Sequence, residues 1–127
     1  MEKDIRQQKI TDYIYAYNHL DVPGMLAVLH PEIEFKHIPD GEVTMSTKGL
    51  DEFRSLAENV LPYFSERTQT ITNILVNDQQ VEVMIDYMAI FANDMPSGEK
   101  AGDKLELKGK SVFRFKDDLI NVIEDIS

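Results

Sequence analysis

The sequence predicts an α+β domain in which a curled antiparallel sheet follows three helices. Three observations point there. Apolar residues recur at helical spacing through the first half, the second half alternates at strand spacing, and the stretch Leu105 to Phe115 alternates for eleven residues without a break. In that stretch Leu105, Leu107, Gly109, Ser111, Phe113 and Phe115 share one face. Lys104, Glu106, Lys108, Lys110 and Arg114 share the other, with Val112 the one apolar exception. At roughly 3.3 Å per residue such a strand spans about 36 Å, so the sheet that holds it has to twist and curl to stay compact. Gly109 in mid-strand marks a bulge or a sharp bend. Ser111 is a polar group on a face that otherwise reads Leu and Phe, and a curled sheet with such a group on its concave side predicts a lined cavity.

The other elements follow in order. From about Asp4 to Leu20, Ile10, Tyr13, Ile14 and Tyr17 recur at helical spacing and predict a first amphipathic helix. Asp21 caps a short second helix with Pro23 in its first turn, and Pro31 is expected to stop it. Glu32 to Ile38 alternates as a strand, with Ile33, Phe35 and His37 on its apolar face. Pro39, Asp40 and Gly41 signal a turn, and Val43 to Thr47 reads as a short returning strand. Leu50, Phe53, Ala57, Val60, Leu61 and Phe64 form the stripe of a third helix from about Gly49 to Phe64, closed by Pro62.

Thr68 to Val76 is rich in β-branched residues, and Asn77 with Asp78 marks a hairpin turn. Val81 to Ala92 carries Val81, Val83, Ile85, Tyr87, Ala89 and Phe91 on one face but also Met84, Met88 and Ile90 on the other. A strand apolar on both faces needs cover on both. In the final strand, Leu119 to Ser127, alternation sets Ile120, Val122 and Ile126 opposite Leu119, Ile123 and Asp125.

A chain of 127 residues is expected to form one domain over its whole length, 1–127, around one core. Its 13 basic and 23 acidic residues give a net charge of -10, which repels nucleic acid and anionic lipid alike. Neither is an expected partner. With no cysteine, a charged amino-terminal stretch MEKDIRQQK and no apolar run near the roughly 20 residues of a membrane span, a cytoplasmic location is expected. His19, His30 and His37 fall on separate elements at no ligand spacing, and no glycine-rich phosphate loop is present, so neither metal nor cofactor is expected. His30 reads as a cation at the end of the second helix.

Three stretches, YIYAYNHLDVPGMLAVLHPEIEF, GLDEFRSL and GKSVFRFKDDLINVIEDI, make the chain from about Ile5 to Asp125 similar to the nuclear transport factor 2-like superfamily. Within it, the chain resembles the SnoaL-like and ketosteroid-isomerase-like domains. The resemblance implies a cone-shaped, curved antiparallel sheet wrapped around three helices from the amino-terminal half, a cystatin-like α+β barrel with a pocket at its open end. It also implies a homodimer formed through the outer sheet faces, which Met84, Met88, Ile90, Val122 and Ile126 independently favour as an otherwise open apolar patch.

Ketosteroid isomerases combine a carboxylate base with an oxyanion hole made of a tyrosine and a protonated aspartic acid. Carried over by resemblance, their tyrosine falls on Tyr13, their base on His37 and their protonated acid on Ser111, so only one of three is retained. Steroid isomerisation itself is not expected. His37 is either a proton-transfer group near the pocket mouth or a hydrogen-bonded histidine at a strand end. Asp40 takes the base's place if the alignment slips across the turn. Tyr13 is either an oxyanion donor or a core aromatic with a wet tip. Tyr17, Phe35, Phe53, Ser111 and Phe113 are expected to line the pocket, with Asp125, an acidic residue of the kind that SnoaL-like cyclases use as base. Asp86 is expected on the outer face if Tyr87 points inward. Two functions compete. One is an apolar pocket for a small hydrophobic carbonyl compound, with isomerase or cyclase chemistry by proton transfer; the other is a non-catalytic ligand-binding or protein-interaction domain.

Overall fold

A computed structural model describes residues 5–127, so the expected helix start at Asp4 lies outside the described residues. Helix α1 (Ile5–Asn18) buries Ile10, Tyr13, Ile14 and Ala16. Leu20 turns the chain with a φ of 57°, and Asp21 then caps α2 (Val22–Leu26) by accepting the Gly24 N–H at 3.0 Å. The second helix ends well before Pro31, because β1 already runs from Leu29 to Ile38. Pro31 sits inside the strand, in the stretch from Leu29 to Glu34 where the register with its neighbour shifts and its missing N–H leaves no gap in the ladder. His30 is therefore a strand residue and not a helix terminus. Its Nδ1 accepts the Glu32 N–H at 3.0 Å, and its Nε2 lies 3.4 Å from Asp117.

After the turn at Pro39–Gly41, β2 (Met45–Lys48) returns along β1 and leads into α3 (Gly49–Val60). The Glu52 carboxylate reaches back to accept the Lys48 N–H at 2.8 Å, and Asp51 shares that first turn, so two anions sit at the positive end of the helix. A single turn at Leu61–Tyr63 follows, and Phe64 opens β3 (Phe64–Val76). The third helix is shorter than its apolar stripe suggests: Pro62 ends it, and Phe64 continues the stripe from a strand. Then come β4 (Val81–Phe91), β5 (Lys104–Lys116) and β6 (Leu119–Ile126). The β5–β6 turn is tight, with Asp117 and Asp118 at φ 54° and 64°, the paired left-handed conformation that matches strand twist in a two-residue hairpin.

The six strands form one open, curved sheet in the order β2-β1-β6-β5-β4-β3. It is mixed and not wholly antiparallel: β1 and β6 run parallel, because the chain leaves β1 early and returns to it last. The helices pack on the concave side, where Phe113, Ile10, Ile33, Ile120, Ile123, Val81 and Val83 are the largest side chains to lose essentially all contact with water. Burying each contributes about 1.5–3 kcal/mol.

Two irregularities set the curvature on the β5–β6 side. The β5–β6 register slips between Arg114 and Phe115, leaving Asn121 as the extra residue, so Ile120 turns inward beside Ile123 instead of outward as strict alternation requires. Gly109 carries no bulge; its register with β4 is continuous. Its role is close approach: a Cβ there would stand 2.7 Å from the Ile126 carbonyl oxygen, so the end of β6 crosses β5 where only glycine leaves room. On the outer face, Asp86 pairs with Lys108 at 3.1 Å and Glu82 with Lys110 at 3.2 Å, on either side of Met84. Among the described residues, no helix is long and apolar enough to cross a membrane.

Candidate functional site

Between α1, α3 and the concave face lies a cavity of about 430 Å³, within the range typical of small-molecule sites. Its apolar wall includes Met25, Phe35, Phe53, Leu56, Val60, Phe64, Ile85 and Leu105. The aromatic residues brace one another: Phe35 meets Phe53 edge to face at 5.8 Å, and Tyr13 packs against Phe53 at 6.5 Å and Phe113 at 6.0 Å. Into this wall project Tyr13, Tyr17, His37, Arg67, Gln69, Tyr87, Ser111 and Asp125.

At one end, Ser111 on β5 and Asp125 on β6 are cross-strand partners, and the serine hydroxyl donates to the Asp125 carboxylate at 2.6 Å. On the other side of β6, Asp125 pairs in register with His37 of β1. Three neighbouring strands thus place a histidine, a carboxyl group and a hydroxyl in one row. Burial raises the Asp125 pKa, opposed by the Ser111 hydrogen bond and, more weakly, by the charge of His37. His37 itself is exposed at the rim, its Nδ1 3.2 Å from the Thr44 hydroxyl. Tyr13 is buried, and desolvation, reinforced by the Asp125 charge, lifts its pKa far above the ordinary tyrosine value. It is therefore a phenol at any physiological pH, a donor with its proton in place.

At the other end, α1 and β3 meet. The Asn18 side chain bridges them like a short stretch of strand, donating to the Gln69 carbonyl at 3.1 Å and accepting the Gln69 N–H at 2.7 Å. Register shifts at Phe64/Glu66 and Ile71/Asn73 bulge β3 twice, so that Phe64, Arg67, Gln69, Ile71 and Ile74 all face inward. Arg67 is 3% exposed and lies 3.8 Å from the centre of the Tyr17 ring. Tyr17 in turn donates to the Tyr87 hydroxyl at 3.4 Å.

The structure thus brings Tyr13, Tyr17, Phe35, His37, Phe53, Ser111 and Asp125 to one cavity. It leaves out two residues expected there. Asp40 is an exposed turn residue at φ 53° that does not line the cavity, though its backbone N–H bonds the carbonyl of Ser127, which does. Phe113 is 1% exposed and sits under Tyr13 in the core instead of on the wall. The loop from Asn93 to Asp103 contributes nothing to the cavity wall. Arg67 was not foreseen. The strand was expected to start at Thr68, and an arginine beside Glu66 reads as a solvated edge; extending the alternation backwards from Ile71 through Gln69 would have found it. Among the described residues, no three His, Cys, Asp or Glu side chains cluster as metal ligands.

Comparisons with solved structures agree on the fold. A candidate polyketide cyclase from Xanthomonas campestris pv. campestris superposes with a TM-score of 0.82 at 17% identity, covering 97% of this chain and 90% of that one. An LEH-like epoxide hydrolase from M. tuberculosis gives 0.76 at 13% identity over 96% and 81%. An uncharacterised cystatin-fold protein from Novosphingobium aromaticivorans gives 0.73 at 16% identity over 99% and 100%. No curated protein matches the sequence. The family profile of the SnoaL-like domain matches residues 10–123, and with that match, on this sheet and around this cavity, the chain belongs to the SnoaL-like family.

Proposed function

We propose that the cavity binds a small hydrophobic carbonyl compound and catalyses proton transfer at the carbon next to its carbonyl group, as an isomerase or cyclase that needs no cofactor. The observation that carries this reading is the Asp125 carboxyl group, held by Ser111 at 2.6 Å inside an apolar wall that raises its pKa. A carboxylate so destabilised is a stronger base than one in water, and a better acid–base partner near neutral pH. In the proposed step the Asp125 carboxylate takes the α-proton, and the C–H bonding pair moves to make the enolate. The Tyr13 hydroxyl donates a hydrogen bond to the enolate oxygen. Asp125 returns the proton to a different carbon, or the enolate carbon bonds the carbon of a second carbonyl, whose π pair moves to its oxygen and takes the proton from Asp125. His37, beside Asp125 at the rim, favours the carboxylate form of Asp125 and relays protons to solvent. The likeness to a candidate polyketide cyclase supports the compound class at the level of fold alone. A homodimer through the outer sheet face, where Met84 is 37% exposed, belongs to the same proposal, and light scattering reads it directly.

The test is deuterium exchange at the α-carbon of a bicyclic ketone such as 2-tetralone, followed by NMR in D2O. Wild type is expected to exceed the buffer rate. Asp125→Asn should lose about 100-fold or more, and Tyr13→Phe about 10- to 100-fold. Binding of the ketone with no exchange above buffer would replace this reading with the non-catalytic ligand-binding one.

A further inference from the structure

Arg67 is the residue that an apolar ketone pocket does not explain. A guanidinium stays charged in any protein environment, and burying one without a counter-ion is strongly unfavourable. Yet Arg67 is 3% exposed, and its Nε and Nη2 are buried with no hydrogen-bond partner. No ion pair among the described residues includes it. The acid on the cavity wall, Asp125, stands three strands away across the sheet and is already engaged by Ser111. What holds Arg67 is the Tyr17 ring stacked 3.8 Å away, which Tyr87 fixes, with the Asn18 clamp two residues along β3. Those contacts orient the planar fork without neutralising it. They leave Arg67 on the cavity wall with Nε and Nη2 unpaired, in a chain whose overall charge is -10.

We propose that the ligand carries a carboxylate on a flat apolar body, and that Arg67 is its specificity determinant. The fork binds the carboxylate through paired N–H···O bonds. The aromatic walls take the body, and the opposite end of the molecule is left beside Asp125 and Tyr13. This rests on the reading of the cavity as a small-molecule site and narrows its substrate class from hydrophobic ketones to aromatic or polycyclic keto acids. The acidic exterior is no obstacle, since surface charge is screened within about 8 Å at physiological salt.

The probes are 2-naphthoate and 2-naphthamide, of nearly equal shape but different charge, with binding followed by calorimetry at pH 7 and near-physiological salt. Wild type is expected to bind the acid at least about tenfold more tightly than the amide, the advantage of a hydrogen bond to a charged group over a neutral one. Arg67→Met is expected to remove that preference while keeping amide affinity within about threefold, and Arg67→Lys, charged but without the fork, to fall between. Equal binding of acid and amide by wild type would overturn the carboxylate and leave the small-molecule pocket standing. Failure of both probes to bind would overturn both. An acid preference that survives in Arg67→Met would place the anion elsewhere and overturn the assignment. So would an Arg67→Met chain that no longer folds, because it would make Arg67 a structural cation; Met of similar length in place of an unpaired charge should leave folding intact.

Discussion

Replacing Asp125 by Asn tests the electrostatics of the site without touching its shape. Burial raises the Asp125 pKa above the ordinary 3.8, while the Ser111 hydrogen bond and His37 only partly oppose it. The folded state therefore holds this proton more tightly than the unfolded chain does. The stability this contributes is fully present below pH 3.8 and is lost as pH rises from there to the folded-state value. Across that window the loss amounts to about 1.4 kcal/mol per pH unit for one proton, and above it the deficit stays constant. In a domain of this length each kcal/mol moves Tm by about 4 °C. Asn cannot ionise, yet its Oδ1 still accepts from Ser111. The difference in stability, variant minus wild type, should therefore climb from pH 3 upward and level off, leaving the variant favoured at pH 7 relative to its standing at pH 3. Urea unfolding of both proteins at intervals from pH 3 to 8 measures it. A difference that is flat with pH would mean that Asp125 titrates as an ordinary surface carboxylate, and the case for it as base would fall with it.

Gly109→Ala is expected to destabilise by about 1–3 kcal/mol, because the new Cβ stands 2.7 Å from a backbone oxygen that cannot rotate away; amide shifts at Asp125 and His37 should move with it. Phe113→Ala should lose about 3–5 kcal/mol in urea unfolding, as expected of a core ring and not of a pocket wall. Asn18→Ala strands both backbone groups of Gln69 and should lose about 1–3 kcal/mol; an unchanged Tm would refute the clamp.

Strand alternation and helical stripes carried the fold a long way. The face of β4 with Val81, Val83, Ile85 and Tyr87 and the face of β5 with Leu105, Ser111 and Phe113 turn inward together, as a period of two demands, and Asp86 turns outward to Lys108. That period fails wherever a strand takes an extra residue. The slip at Asn121 moved Ile120 to the core, and the two bulges in β3 hid the inward face of Arg67. Boundaries failed for a related reason: Pro31 and Phe64 read as helix features because local signals do not say which tertiary partner they meet.

The sequence by itself determined the class of fold, the order of its elements and most of one wall of the cavity, since these follow from short-range periodicity. Only the tertiary structure decided which polar groups meet in the candidate site. Asp125, Ser111 and His37 lie on β6, β5 and β1, and they became a row through a parallel pairing between the first strand and the last. Arg67 became a buried, unpartnered cation through the stacking of Tyr17 upon it. Desolvation and charge proximity depend on distances between residues far apart in the chain, and no local pattern encodes them.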